Sequence, residues 1–338
     1  MKKWVTATQH GMGANAIQKV NADVVSIAES LGYQALPITR YDATSEAPEL
    51  MRVRIQGLIT AVQPGDLVVC LHPILNGFIF DVSLVSALKE RGAKVVINVF
   101  DTEKLRYPKD LGESYDQIGK EHALFNQADY LIVHNEAMEA GLREVGVTVP
   151  MLKRGPFDYL MPAEEAKLSD NLERKLTFVG SFDKSPFLKT WAYQTPLSAF
   201  GSRQTAEGEY PLGPNVDYLG MANFLQDMPR DAFGIFWDEG FNYQVYSQYT
   251  SPHKVALYMA TGLPVIVWDG AGIAPFIKRE GLGYTVKSLD EIDGLLASIT
   301  DEELRALKER TNYFSYFIRD GAFTRRVLSE LEGRLAIK

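Results

Sequence analysis

Two α/β domains, each a parallel sheet wrapped by helices, are the architecture this sequence predicts, and three observations predict it. The chain has 338 residues, more than one hydrophobic core ordinarily supports. Short β-branched runs alternate with amphipathic stretches along both halves, which is the pattern of repeated βα units. Between the halves, from about residue 150, MLKRGPFDYLMPAEEAKLSDNLERK carries prolines and acidic residues with little periodicity and reads as a connection.

In the first half, strands are expected at 3–8, 33–37, 66–71, 94–100 and 130–134, with helices over 15–31, 48–62, 80–91, 114–127 and 135–145. After the connection, strands are expected at 175–179, 197–200, 215–219, 232–236 and 264–268, with helices near 184–194, 252–261, 274–280 and 289–299. Phe323, Val327, Leu331 and Leu335 then recur every four residues, an apolar seam that must pack on something. The resulting division is a first domain over 1–155, a second over 156–316 and a last helix over 317–338.

Composition removes several classes of function. A formal charge of −8 disfavours binding driven by nucleic-acid phosphates, which depends on Lys and Arg. Neither a signal peptide nor an apolar run of roughly 20 residues is visible, so a cytoplasmic protein is expected. The lone Cys70 lies in the apolar run LVVCL and reads as a buried thiol, and no Cys/His cluster has zinc spacing.

The segment SPHKVALYMATGLPV at 251–265 is the most informative. Ser251 at the cap and Pro252 in the first turn start a helix, whose free amides and positive dipole end attract anions. Lys254 adds a charge there that suits a diphosphate, with His253 beside it as a second donor; an ordinary cap with both side chains in solvent is the other reading. Gly180 and Ser181 follow the strand 175–179, where ligands of doubly wound sheets bind. Gly272 and Ile273, in AGIAPF, join the strand 264–268 to a helix. Asp238 lies in FWDEGFNYQVYSQY, which either lines a donor pocket or fills core, and Tyr218 ends another strand on the same side.

In the first half HGMGANA, at 10–16, holds Gly11, Gly13 and Asn15 directly after the first strand. It lacks the third glycine of a dinucleotide fingerprint, so NAD is discounted and an acceptor sugar fits better. Asp101 ends the fourth strand near Arg106, and could act as general base on an acceptor hydroxyl or simply pair with that arginine. His72 and His134 also follow strands and join the acceptor-side candidates. No Asp-x-Asp triplet occurs, so leaving-group stabilisation falls to Lys254 and backbone amides, with no metal or other cofactor expected.

Taken together, NAIQKVNADV (15–24), VFDTEKLR (99–106), ADYLIVHNEAM (128–138), FDYLMP (157–162), FVGSFDKSPFL (178–188), SPHKVALYMATGLPVIVW (251–268) and GLGYTVKSLDEI (281–292) resemble a known family. It comprises the bacterial glucosyltransferases that extend O-linked N-acetylglucosamine on serine-rich adhesins and the related β-1,6-galactofuranosyltransferases. The 251–265 segment is similar to the P-x-K-x-x-E-Y-x-A-x-G-x-P-V pattern of GT-B transferases, except that Leu257 replaces the glutamate that commonly grips the ribose.

The resemblance implies a GT-B fold, with two Rossmann-like domains facing a cleft and a C-terminal helix crossing back to the first domain. It implies a UDP-sugar donor in the second domain, held by Lys254 and its neighbours. A glycan or glycoprotein acceptor would meet the first domain near Asp101 and Arg106, in a homo-oligomer, with membrane proximity if the acceptor is lipid-linked. Transfer of glucose, galactose or galactofuranose is therefore the expected activity. The alternatives are a non-catalytic UDP-sugar-binding partner subunit, which Leu257 would suit, or a UDP-sugar epimerase.

Overall fold

The computed structural model describes residues 1–11, 16–107, 116–205, 208–221 and 224–335. Contacts divide the chain into two units, Met1–Gly155 with Gly321–Lys338, and Pro156–Asp320. Among the described residues no helix is long and apolar enough to cross a membrane.

The first unit opens with β1 (Lys3–Gln9), α1 (Ala16–Ser30), β2 (Gln34–Thr39), α2 (Pro48–Leu58), β3 (Leu67–His72) and α3 (Phe78–Glu90). It continues with β4 (Lys94–Val99), α4 (Glu103–Arg106), α5 (Asp116–Phe125), β5 (Tyr130–Val133), α6 (Glu136–Glu144) and β6 (Met151–Lys153). The strands form one parallel sheet in the order β2-β1-β3-β4-β5-β6. Central strands read as unbroken apolar runs because helices cover both faces, and every residue of β3, LVVCLH, is buried. At α6, Asn135 caps the helix by accepting the Met138 amide.

The second unit begins with α7 (Ala163–Ala166), β7 (Leu176–Val179), α8 (Phe187–Thr190), β8 (Leu197–Phe200), the small antiparallel pair β9 (Gln204–Thr205) and β10 (Gly208–Glu209), and β11 (Val216–Gly220). There follow α9 (Phe224–Asp227), β12 (Phe233–Phe236), α10 (Phe241–Ser247), α11 (His253–Ala260), β13 (Val265–Trp268), α12 (Ala274–Glu280), β14 (Gly283–Val286), α13 (Ile292–Ser298) and α14 (Asp301–Arg319). Six of these strands make a second parallel sheet, β11-β8-β7-β12-β13-β14. Its core gathers Phe178, Phe187, Trp191 and Phe233. Two six-stranded parallel sheets with helices establish the α/β class.

The last helix, α15 (Ala322–Arg334), returns to the first unit and packs on α1 and β6. Its seam buries Val327, Leu328 and Leu331, while Lys3 pairs with Glu332 at 2.9 Å and Arg326 donates to the Lys153 and Arg154 carbonyls. Gly321 turns the chain into it with φ +78, and a Cβ there would lie 2.6 Å from Ile27 Cδ1, so only glycine lets α15 enter against α1.

Several expectations are corrected. Asp301–Arg319 is a 19-residue helix where none was expected, opened by a capping box in which Thr300 and Glu303 satisfy each other's amides. The last helix therefore starts at Ala322 and not at 317, after a break at Gly321. The expected helix over 184–194 shrinks to a 3₁₀ turn at Phe182–Lys184 and the four residues of α8, because Pro186 removes an amide in mid-segment and the Trp191 backbone turns extended. Met151–Lys153, read as connection, is the edge strand β6, and β14 was not anticipated.

Candidate functional site

In the second sheet the strand order reverses direction between β7 and β12, the switch point at which open α/β sheets bind ligands beyond their carboxyl ends. β7 delivers Gly180 there and β12 delivers Asp238. α11 comes down onto the same point, and Val255 through Ala260 are all buried. Only its first turn, His253 and Lys254, is partly open.

Tyr258 bolts the helix in place. Its hydroxyl accepts the Val179 amide at 2.9 Å and donates to the Ile235 carbonyl at 3.3 Å, bridging the ends of β7 and β12. Burial pushes that phenol well above its ordinary range, so it stays a donor. The ring fits because β12 carries Gly234, where a Cβ would stand 2.4 Å from it. Lys254 lies one turn earlier on the same helix face, so the bolt also aims the ammonium.

Lys254 Nζ stands 4.9 Å from the Phe178 ring centre, 5.5 Å from that of Phe236 and 3.6 Å from Asp238 Oδ1. The aromatic faces attract the cation without hydrogen-bonding it. A Cβ on Gly180 would lie 3.3 Å from Nζ, so glycine keeps that space clear. The ammonium is thus held in position while its hydrogen-bonding capacity is only partly used.

The expected cap is corrected: Pro252, not Ser251, takes the cap position, with φ −68 and ψ 142, and its side chain makes no cap hydrogen bond. Ser251 is buried. His253 stacks on Tyr159, ring centres 4.9 Å apart, and meets Phe157 edge-on. Leu257 is buried and leaves no carboxylate at its position.

The remaining donor-side candidates separate. Gly180 and Asp238 adjoin Lys254, and Ser181 is exposed just after Gly180. Tyr218 sits on the sheet edge two strands from β7, its hydroxyl donating to the Gly201 carbonyl. The Gly272 amide donates to the Ser247 carbonyl at 2.9 Å, and the Ile273 side chain is buried. Sequence reasoning missed Phe178 and Phe236 as walls of the site, since strand alternation makes both look like ordinary core.

The first sheet has its switch point between β1 and β3. His10 and Gly11 end β1 there; burial and the charge of Arg40 hold His10 below its ordinary value, and Gly11 has φ +63. Gly13 and Asn15 lie outside the described residues. Beyond β4, Arg106 bridges Asp101 at 2.8 Å and Glu103 at 2.7 Å.

His72 and His134, the other acceptor-side candidates, are both buried. His72 Nδ1 lies 2.7 Å from Asp81 and Nε2 3.2 Å from Glu121. Burial by itself would lower its pKa, but the two carboxylates outweigh that and lift it to about 10. Burial and the nearby Arg154 charge hold His134 well below its usual value, as neutral imidazole. Among the described residues no three His, Cys, Asp or Glu side chains gather as a metal site.

Residues 2–155 match the family model described as the N-terminal domain of glucosyltransferase 3-like proteins, and 176–331 match the corresponding C-terminal domain. Glucosyltransferase 3 of Streptococcus gordonii is 30% identical over 315 residues, covering 90% of this chain and 91% of that protein. The β-1,6-galactofuranosyltransferase WbbI of Escherichia coli is 26% identical over 234 residues, covering 66% of this chain and 69% of its own. Among solved structures, Anabaena HepE in complex with UDP and glucose aligns with a TM-score of 0.64 at 13% identity, over 98% of this chain and 99% of that one. At that identity the likeness is one of fold, the two-sheet GT-B type.

Proposed function

We propose that this chain, which belongs to the glucosyltransferase 3-like family, moves a hexosyl residue from a UDP-sugar to a hydroxyl of a glycan or glycoprotein. It is a glycosyltransferase; the identity of the donor nucleotide and the roles of individual residues are the proposal. The observation that carries it is Lys254, an ammonium in the first turn of α11 aimed by Tyr258 at the switch point of the second sheet.

Cleaving a sugar diphosphate places negative charge on the leaving UDP. A preorganised cation beside helix amides stabilises that charge more as it develops than in the ground state, which is what accelerates the step. Asp238, 3.6 Å away, fixes the ammonium until a diphosphate competes for it. Gly180 leaves room for the phosphate oxygens to approach. Ser181, Ser251, His253 and Tyr218 belong to the same proposed donor side.

On the acceptor side, Asp101 is the proposed base, exposed enough to meet a hydroxyl and oriented by Arg106. A base must come within hydrogen-bond reach of the proton it takes, so Arg106 would share this carboxylate with the acceptor. Gly11 would line the approach. The reading includes catalysis without metal, since Lys254 supplies the charge a cation would, and full turnover in EDTA is its check. It also includes a cytoplasmic homo-oligomer, for which exposed Leu50, Val53 and Ile79 offer apolar surface.

The test is turnover of purified chain with UDP-glucose, UDP-galactose and UDP-galactofuranose, reading free UDP and the mass gained by the acceptor. Release of UDP with one of these donors, and its loss in Lys254→Ala, supports the reading. Equal UDP release by Lys254→Ala would contradict it.

A further inference from the structure

We propose that His72 is a positioning residue for the acceptor: its imidazolium, enclosed by Asp81 and Glu121, sets the 101–106 segment that presents Asp101 and Arg106. The inference rests on reading that segment as the acceptor side.

Glu121 is the link. From α5 it accepts the Thr102 hydroxyl and the backbone amides of Glu103, at 3.3 Å, and Lys104, at 2.9 Å. One buried carboxylate therefore gathers the turn that leaves β4 and opens α4. Four residues are too few for a helix to stand alone, so its placement depends on this anchor. Arg106, at the end of α4, then reaches back to Glu103 and Asp101.

His72 fixes Glu121 from the opposite side. With a carboxylate oxygen facing each ring nitrogen, both nitrogens carry protons and both donate. Asp81 holds the ring from α3 and also accepts the Ile74 amide at 3.3 Å, while Phe125 closes over it edge-on, ring centres 5.3 Å apart. The ring is thus tied to β3, α3 and α5 together, and through Glu121 to the turn after β4. Without its charge, two buried carboxylates lose their shared counter-ion, and Glu121 must move or take up a proton. Either change releases the Thr102–Lys104 turn.

A cluster that only stabilised the fold would affect donor and acceptor functions alike. A positioning role separates them. The experiment compares the full chain with His72→Gln, Glu121→Gln and the double variant. It measures transfer to acceptor, with KM for each substrate, and the affinity for UDP by calorimetry. Misplacing a positioned group by about 1 Å costs up to roughly 100-fold, so each single variant is expected to raise acceptor KM by about 10-fold or more.

Donor KM and the affinity for UDP should stay within about twofold by the same reasoning, since neither depends on this turn. The double variant, with an amide pair replacing the ion pair, should recover most of the loss. Thr102→Val removes one donor to Glu121 while leaving the His72 contacts intact, and should raise acceptor KM even if the charge variants fold poorly. Unchanged acceptor KM in Thr102→Val and the single variants, or UDP affinity falling in step with transfer, would overturn the inference. No transfer by the unaltered chain would overturn the functional reading beneath it as well.

Discussion

Lys254 and His72 both place a cation at the carboxyl end of a parallel sheet, and the protein treats them in opposite ways. The Lys254 side chain keeps 21% of its surface exposed and has one carboxylate at 3.6 Å, its other neighbours being aromatic faces and a glycine. The His72 side chain keeps 7% and has a carboxylate within hydrogen-bond distance on each nitrogen. A cation whose donors are all consumed by protein serves the architecture; one held by aromatic faces and a distant carboxylate retains capacity for a ligand. Residue type and position at a strand end do not separate the two cases, whereas the second layer of contacts does.

The largest effect expected from this contrast is on turnover. Removing a preorganised donor from a developing oxyanion costs about 100- to 1,000-fold, so Lys254→Ala should lose that much in kcat while its thermal midpoint holds. A comparable loss of stability would erase the distinction between the two cations. Next comes stability at the buried cluster: Glu121→Ala removes one partner of the buried His72 imidazolium and the acceptor for the Thr102, Glu103 and Lys104 donors, and should cost about 3–5 kcal/mol in denaturant unfolding. The matching change at the open site, Asp238→Ala, breaks a long, partly exposed pair and should cost under about 1 kcal/mol.

The seating of α11 offers a smaller effect. Gly234→Ala drives a Cβ into the Tyr258 ring, which overpacks the site by about 1–3 kcal/mol, and Tyr258→Phe leaves the buried Val179 amide without its acceptor at a similar cost. Both should weaken turnover beyond their effect on folding, because Lys254 is aimed by the same ring. Turnover unchanged by either would show that Lys254 does not depend on the bolt.

The smallest effect is on pH dependence. The folded-state pKa of His72 is raised to about 10 from an ordinary 6.5, so its contribution is fully present below about 6.5 and is lost as pH rises through 10. Glu121 is shifted the other way: burial opposes its charge, but bonds from His72 and Thr102 lower its pKa, so its share is lost in acid. The stability gap between the unaltered chain and His72→Gln should therefore narrow from pH 6.5 toward pH 10. A constant gap would place His72 outside this linkage.

The sheets were legible because their strands are uninterrupted β-branched runs, and β3 and β4 could hardly be read otherwise. α14 was missed because TNYFSYFIR mixes aromatic, polar and basic residues on every face, although the Thr300 to Glu303 capping pair marked its start. β6 and β14 were missed because three or four residues carry too little alternation to register. Lys254 stood out because an ammonium in a helix's first turn opposes the dipole, a local conflict visible in sequence. The His72 cluster was not legible: its carboxylates lie 9 and 49 residues away along the chain and meet the ring only when α3 and α5 fold over β3.

On the reading proposed above, the first turn of α11, with Lys254, grips a diphosphate. Calorimetric titration of the full chain with UDP and with uridine, repeated on Lys254→Ala, isolates that contact. The unaltered chain should bind UDP far more tightly than uridine, and Lys254→Ala should lose most of that difference while its affinity for uridine stays the same. UDP binding that Lys254→Ala leaves untouched would contradict the account.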